Sequence, residues 1–317
     1  MTIVIRPFHP TDLDTLVHVA TASFAEEYIS RGTTAEGFAQ QVRMITKGRM
    51  IPFKMVTRLA GYTWEILVAE VNGQVVGCGG YMGRKQMELV NLMVHPDYRR
   101  RGIGQALLEK RLHNLTLMGY PFVTVTILDN NQASLGNIEK QSFEIFDRYT
   151  IFEVPLPFPD TATVITAKSL SRPIRPADKP IFHELEAQTA TPLWLQIEKS
   201  ADDSYFLGFG DRLMNRFSNT QTQIRSWMAE GKVIGFSAAR TTGSKTKGGL
   251  ARPIIAENNL QYLPAILCET ADWLRQLGKT TMQVAVPDTR PAIQEFLQNS
   301  GWTPLQTWVR QVKWLNN

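Results

Sequence analysis

The sequence predicts a mixed α/β fold built twice, as two tandem domains of one plan. Apolar runs with a period of two alternate with stretches of helical spacing, the pattern of a mixed sheet covered by helices. A Pro-rich break, Pro155-Leu156-Pro157-Phe158-Pro159-Asp160, and a polar run to Ser171 divide the chain near its middle. After the break the opening half recurs. Ile5-Arg6-Pro7 returns as Ile174-Arg175-Pro176, Asn72-Gly73-Gln74-Val75-Val76-Gly77 as Glu230-Gly231-Lys232-Val233-Ile234-Gly235, and Ser142-Phe143 as Gly301-Trp302. The last two echoes are spaced by 158 and 159 residues, a nearly constant register that points to duplication of a whole domain. The domains are expected at 1–157 and 172–317.

In the first half, Ile3–Pro7 reads as a strand. Thr11–Phe24 reads as a helix, with Thr11 as N-cap and Asp14 three residues on. Glu36–Lys47 is a second expected helix. Trp64–Val71 and Gln74–Met82 flank Asn72-Gly73, a strong hairpin signal. Met87–Val94 is the next strand, Gly102–Met118 a helix, Phe122–Leu128 a β-branched strand, Gln132–Gln141 a helix and Glu144–Glu153 a closing strand. The second half follows the same plan. A strand is expected at Val233–Arg240, a helix from about Leu260, a strand at Thr281–Val286, a helix at Arg290–Asn299 and a last strand near Thr307–Trp314. In the middle helix Leu263, Ile266, Leu267, Leu274 and Leu277 keep helical spacing, so it buries one face.

Composition narrows the function classes. A chain of 317 residues, 43% hydrophobic and 20% charged, fits two ordinary globular domains. Cys78 and Cys268 have no paired spacing, so neither a metal site nor a disulfide framework is expected. No apolar stretch is long enough for a membrane, and Met1–Pro7 has no signal-peptide apolar region, so a cytoplasmic location is expected. The net charge of +5 favours anionic ligands. Lys245-Thr246-Lys247 reads as part of a solvated loop. No basic stripe with interleaved aromatics marks a nucleic-acid partner. The oligomeric state stays open.

The most informative segment is Arg99-Arg100-Arg101-Gly102-Ile103-Gly104. It follows the strand Met87–Val94 and the turn His95-Pro96-Asp97-Tyr98, and it opens a helix. The first N–H groups of a helix lack intrahelical partners and sit at the positive end of its dipole. Glycines let the backbone approach a ligand, and arginines add charge-assisted donors. Together these suit a phosphate or pyrophosphate. A third glycine for a dinucleotide fingerprint is missing, as is the Gly-Lys-Ser/Thr of a P-loop.

With its flanks, the run Asn91-Leu92-Met93-Val94-His95-Pro96-Asp97-Tyr98-Arg99-Arg100-Arg101-Gly102-Ile103-Gly104 resembles motif A of the GNAT superfamily of acyl-CoA-dependent N-acyltransferases. That motif reads Gln/Arg-x-x-Gly-x-Gly/Ala after a strand ending in Val-x-Pro. The element order of the first half is also that of the GNAT fold. In the second half, an offset of 159 residues brings Asn258, Gln261 and Leu263 to the places of Arg99, Gly102 and Gly104. The chain therefore looks like a tandem GNAT protein whose C-terminal copy is degenerate, with a leucine side chain expected where a pyrophosphate would approach.

The resemblance implies acetyl-CoA as co-substrate. The backbone of Leu92, Met93 and Val94 would pair with its pantetheine arm, and a main-chain N–H near Met93 or Val94 would serve as oxyanion donor. Arg99, Arg100, Arg101, Gly102, Ile103, Gly104 and Gln105 would form the diphosphate cradle, with Arg99 as much structural as ligand-facing. Asn131 would touch the cofactor or cap a helix. Glu88, expected on the strand face shared by Val90, Leu92 and Val94, would take the amine proton directly or through water. His95 reads as a loop element.

One departure stands out. Asn131-Gln132-Ala133-Ser134 fits the family's Asn-x-x-Ala/Ser, but the tyrosine expected four residues on is Ile138, and Gly-Phe is Ser142-Phe143. Tyr81, Tyr149 or water would protonate the leaving thiolate, or it leaves unassisted. The expected activity is N-acetyl transfer to a primary amine of a small molecule or peptide. The alternative is a non-catalytic acyl-CoA-binding or regulatory module. The acceptor would be set by Phe24–Leu59 and by the second domain, whose six tryptophans, Trp194, Trp227, Trp273, Trp302, Trp308 and Trp314, read as core.

Overall fold

The computed structural model describes residues 2–30, 59, 61–84, 86–157, 170–198, 205–241 and 244–315. The expected helix Glu36–Lys47 and most of the acceptor region Phe24–Leu59 lie outside the described residues. The chain forms two compact units, one of Met1–Ile145 with Arg310–Asn317, the other of Phe146–Val309.

The first unit runs β1 (Ile3–Pro7), a 3-10 turn (Pro10–Asp12), α1 (Leu13–Ser30), β2 (Thr63–Val71), β3 (Gln74–Gly83), β4 (Met87–Val94), a 3-10 turn (Pro96–Tyr98), α2 (Ile103–Leu117), β5 (Phe122–Leu128) and α3 (Gln132–Glu139). Its strands lie side by side in the order β1-β2-β3-β4-β5. Only β4 and β5 are parallel, as a strand–helix–strand crossover through α2 requires. The hairpin turn is Asn72-Gly73, both at positive φ (50° and 78°), the conformation that matches the twist of the flanking strands.

Helices cover both faces of this sheet. Leu13, Leu16, Val19 and Ala20 of α1 pack on Val68, Val75, Cys78 and Met93. On the opposite face Ile103 and Leu107 pack on Leu67, Ala69 and Val76, and Leu108, Leu112 and Leu115 pack on Met87, Leu89, Val123, Val125 and Ile127. Each such side chain contributes about 1.5–3 kcal/mol on burial. The C-terminal residues close this unit: Leu315 N donates to Pro121 O at 2.9 Å, and the Trp314 and Phe122 rings meet edge-on at 5.3 Å.

The second unit contains most of β6 (Glu144–Pro155), then β7 (Ser171–Pro173), a 3-10 turn (Pro176–Asp178), α4 (Lys179–Thr189), α5 (Pro192–Glu198), α6 (Phe209–Phe217), β8 (Thr222–Ala229), β9 (Lys232–Thr241), β10 (Lys247–Ile255), a 3-10 segment (Glu257–Tyr262), α7 (Leu263–Gln276), β11 (Thr281–Pro287), α8 (Pro291–Asn299) and the start of β12 (Thr303–Trp314). Its strand order is β6-β11-β10-β9-β8-β7. Phe152, Val154, Trp227, Leu263, Ile266, Leu274, Val284, Leu297 and Trp302 build its core. The sequence reading has no helix at α4, α5 or α6.

Two expectations need correction. Thr11 does not cap α1. The chain enters through a 3-10 turn in which the Asp12 carboxylate accepts from His9 N at 2.8 Å and takes both ends of the Arg6 guanidinium at 2.7 and 2.9 Å. The same clamp recurs in the second unit, where Asp178 accepts from Arg175 N at 2.9 Å and from Arg172 at 2.7 and 2.6 Å. The structural counterpart of Arg6-Pro7 is therefore Arg172-Pro173, not Arg175-Pro176. Two Arg-Pro pairs stand three residues apart, and only the six-residue reach to an aspartate tells them apart.

Candidate active site

The site begins where β4 leaves its neighbours. β4 pairs with β5 at Met87–Val123, Glu88–Thr124 and Leu89–Val125, and no further. On its other edge the register steps from Gly80–Val90 to Cys78–Met93, so Asn91 and Leu92 together oppose Gly79. Asn91 turns there with φ of 54°. This is a β-bulge, and its extra residue bends the strand and shifts the face of every residue beyond it. Asn91–Val94 are left with a backbone edge that β5 does not pair.

The bulge overturns one expectation. Leu92 and Val94 pack beside Ile103 and Leu107 under α2, on the face of Met87 and Leu89. Glu88 points the other way, with Val90. Its Oε1 accepts from Thr126 Oγ1 at 2.7 Å, whereas the flanking Val125 and Ile127 of β5 pack under α2. Strict alternation would have put Glu88 on the side of Leu92 and Val94. The inserted residue puts it on the opposite side, half-buried, with one carboxylate oxygen held by Thr126.

The cradle lies just beyond. Arg100 (φ 57°) and Gly102 (φ 79°) both take left-handed backbone conformations. The first amide of α2 to find an intrahelical acceptor is Ala106 N, which donates to Gly102 O at 2.9 Å. The amides of Ile103, Gly104 and Gln105 precede it at the positive end of the helix, with no acceptor in the helix itself. Arg99, Arg100, Arg101 and Gly102 are exposed, and a Cβ added at Gly102 would touch nothing within 4 Å. The Ile103 side chain, 1% exposed, packs in the core and leaves only its backbone to the cradle. An open turn with successive free N–H groups and flanking guanidiniums fits a diphosphate.

The flanking side chains divide the labour. Arg99 is spent on the fold: its Nε donates to Val94 O at 3.1 Å and its Nη2 to Ser23 O at 3.3 Å, while Ser23 Oγ donates to Val94 O at 3.1 Å. Arg101 lies over the Tyr98 ring at 5.3 Å. Gln105 Nε2 donates to Glu109 Oε1 at 2.8 Å, and its own Oε1 is buried without a partner among the described residues. Asn131 caps α3 through Oδ1, which accepts from Ser134 N at 3.1 Å, leaving its amide nitrogen to donate. Asn137, which no motif marks, brings Nδ2 to within 3.7 Å of where a Cβ on Gly104 would stand. His95 is a loop element: its Nδ1 accepts from Asp97 N at 3.3 Å, and its ring stacks on His18 at 5.5 Å.

The two tyrosines expected for the thiolate both lie in strands, Tyr81 in β3 and Tyr149 in β6. Tyr81 is fully buried in the core under α2, donates to Glu65, and is raised above the usual tyrosine range by burial and by that carboxylate. Tyr149 belongs to the second unit, in β6 opposite Pro287. Ile138 is 3% exposed and fills the core.

The second unit repeats the frame without the cradle. Gly235 stands to Ile254 O as Gly77 stands to Met93 O: an added Cβ would meet those carbonyls at 2.9 and 2.8 Å. β10 has its own bulge between Ala251 and Ile254. Beyond it the 3-10 segment Glu257–Tyr262 runs straight into α7, and Tyr262 takes the place of Gly102 with an ordinary φ of −90°. Leu263 starts its helix and is 1% exposed, as Ile103 is. It therefore fills the core and not the pyrophosphate's place, which corrects the simple 159-residue register by one position. The residue opposite Gly104 is Pro264, which has no N–H to offer an anion.

The family model described as "Acetyltransferase (GNAT) domain" matches residues 63–142. An acetyltransferase of Pectobacterium atrosepticum is 40% identical over 87 residues, which are 27% of this chain and 61% of that relative. Among solved structures, a tandem GNAT protein from the clavulanic acid biosynthesis pathway superposes with a TM-score of 0.59 at 14% identity, over 100% of this chain and 99% of that one. The glucosamine N-acetyltransferase region of a fungal multi-domain GH3 β-N-acetylglucosaminidase gives 0.65 at 14% identity, over 98% of this chain and 38% of that one. At such identities the structural likeness speaks for the fold, and the family match speaks for the stretch that holds β4, the cradle and α2. Residues 63–142 thus match a GNAT acetyltransferase domain, and the whole chain has the fold of a tandem GNAT protein.

Proposed function

We propose that the first unit is an N-acetyltransferase that moves the acetyl group of acetyl-CoA to a primary amine of a small molecule or peptide in the cytoplasm. The observation that carries this reading is the exposed left-handed loop at the head of α2, directly after the unpaired end of β4. Backbone amides of Ile103, Gly104 and Gln105, with Arg100 and Arg101, hold the diphosphate. The edge of Leu92, Met93 and Val94 that β5 leaves unpaired receives the pantetheine arm, and an N–H there faces the developing oxyanion. Glu88 takes the proton of the attacking amine. The thiolate, of pKa about 8.5 when free, leaves without a phenol. The second unit, with Tyr262 and Pro264 in place of the glycines, supplies scaffold and no second cradle.

Calorimetry with acetyl-CoA tests the cradle. Gly102→Glu with Gly104→Glu puts two carboxylates where the diphosphate sits, and affinity falls by a factor of about 100 or more. Wild-type protein that does not bind acetyl-CoA, or a double variant that binds it equally well, sinks the reading. Thiol release across a panel of primary amines tests the chemistry. Tight binding without release on any amine would favour an acyl-CoA-binding module, the reading that the absent tyrosine at Ile138 supports.

A further inference from the structure

Arg111 lies on the inner face of α2, 1% exposed. Its Nε donates to Leu107 O at 3.2 Å, one turn back on its own helix. Its Nη1 donates to Gly80 O at 3.2 Å and to Val90 O at 3.5 Å. Among the described residues no carboxylate pairs with it. Burial lowers its guanidinium to about 10, which still leaves it cationic at neutral pH. A buried charge answered only by carbonyls carries a desolvation cost, so its presence calls for a reason beyond filling space.

Its position supplies one. Gly80 O and Val90 O bracket the bulge that frees Asn91–Val94. Gly79, opposite the bulge, has no Cβ, and one placed there would meet Arg111 Cζ at 3.1 Å. The second unit is an internal control. There the bulge is kept, but the residue eight positions into the helix is Ala271, and the one opposite the bulge is Ser237, which accepts from Trp227 Nε1 at 2.9 Å. The bulge thus forms there without a cation at this place on the helix; the second unit's own buried arginine, Arg290, precedes α8 and donates from Nη2 to Ile255 O at 2.6 Å, beyond the bulge.

We infer that Arg111 is a positioning residue for acyl transfer, holding the bulge of β4 through Gly80 O and Val90 O and setting a buried positive charge behind the backbone that faces the thioester. The inference rests on the acetyl-CoA reading of the first unit. A cation in a water-excluded site favours the tetrahedral oxyanion far more than the neutral thioester, so it acts on the rate of transfer and little on binding.

The test copies the second unit's solution into the first. Gly79→Ser with Arg111→Ala reproduces the Ser237–Ala271 pair, whose fold already exists in this chain. Arg111→Lys keeps the charge, and Arg111→Met keeps the bulk alone. Binding of acetyl-CoA is followed by calorimetry, and thiol release is followed with hydroxylamine and a panel of primary amines above the uncatalysed background. In folded variants, judged by near-ultraviolet circular dichroism, acetyl-CoA affinity is expected to change less than about 3-fold, while kcat falls about 100-fold in the double and Met variants, the scale of losing one oxyanion donor. The Lys variant is expected to recover at least a tenth of the wild-type rate. Folded double and Met variants that turn over within about twofold of wild type would overturn the role of Arg111 while leaving the acetyl-CoA reading intact. Wild-type protein that neither binds acetyl-CoA nor releases thiol would overturn both.

Discussion

Glu88 Oε1 accepts a hydrogen bond from Thr126 Oγ1 at 2.7 Å, across the one stretch where β4 and β5 still pair. The carboxylate is thereby fixed just before the strands part, on the face that the β4 bulge separates from Leu92 and Val94. A base must be held in one rotamer to act at hydrogen-bond range.

Glu88→Gln keeps the shape and removes the basicity. Thiol release is expected to fall by about 100- to 1000-fold at saturating amine, with acetyl-CoA affinity unchanged. Thr126→Val frees the rotamer and is expected to cost less, roughly 3- to 10-fold, a fraction of the whole general-base contribution. Steady-state kinetics beside calorimetry check both. Equal losses in binding and rate would make Glu88 a structural residue.

Gly77 and Gly235 form a matched pair. An added Cβ would press on Met93 O at 2.8 Å and on Ile254 O at 2.9 Å, both backbone atoms with little room to move. Gly77→Ala and Gly235→Ala are each expected to destabilise by about 1–3 kcal/mol, the cost of overpacking, read by urea unfolding. Only Gly77→Ala should also slow transfer, because Met93 belongs to the proposed thioester edge. A Gly235→Ala variant slowed as much as Gly77→Ala would contradict the assignment of chemistry to the first unit.

The Arg172–Asp178 clamp gives the second unit an acid-sensitive joint. Hydrogen bonds from Arg172 hold the Asp178 carboxyl down at about 2, against 3.8 for a free aspartate. The folded value is depressed, so the stabilisation is complete above the unfolded pKa and is lost as pH falls from about 4 towards 2. It amounts to roughly 2 kcal/mol. Asp178→Asn is expected to lose that much at pH 7 and to converge with wild type near pH 2, measured by unfolding at several pH values. A constant gap between the two proteins across that range would show that the clamp does not titrate.

The local signals told the truth about local things. Met87–Val94 and Phe122–Leu128 form strands over those same residues, because β-branched and apolar runs of that length have few other ways to bury. Asn72-Gly73 and Glu230-Gly231 turn as the sequence implies, with positive φ at all four residues. The cradle was legible because Gly102 alone could take φ of 79° without strain, and glycines at a helix head leave a visible trace in a sequence.

What failed to show in the sequence depends on contacts between distant residues. The bulge at Asn91–Leu92 carries no motif, yet it decides which face Glu88 shares. Leu263 falls on Gly104 by counting, yet the core places it on Ile103. Arg111 reads as one more basic residue on a helix until Gly79, Gly80 and Val90 are seen around it.

The amino-acid sequence by itself determined the order of elements in the described part of the first unit, the repeated frame and the glycine loop at the head of α2, since turn chemistry and hydrophobic period act over a few neighbouring residues. Tertiary structure alone decided the facing of Glu88, the burial of Arg111, the true partner of Arg6 in the repeat, and the membership of 310–317 in the first unit. Those follow from register and packing, where one inserted residue in a strand reverses every side chain beyond it.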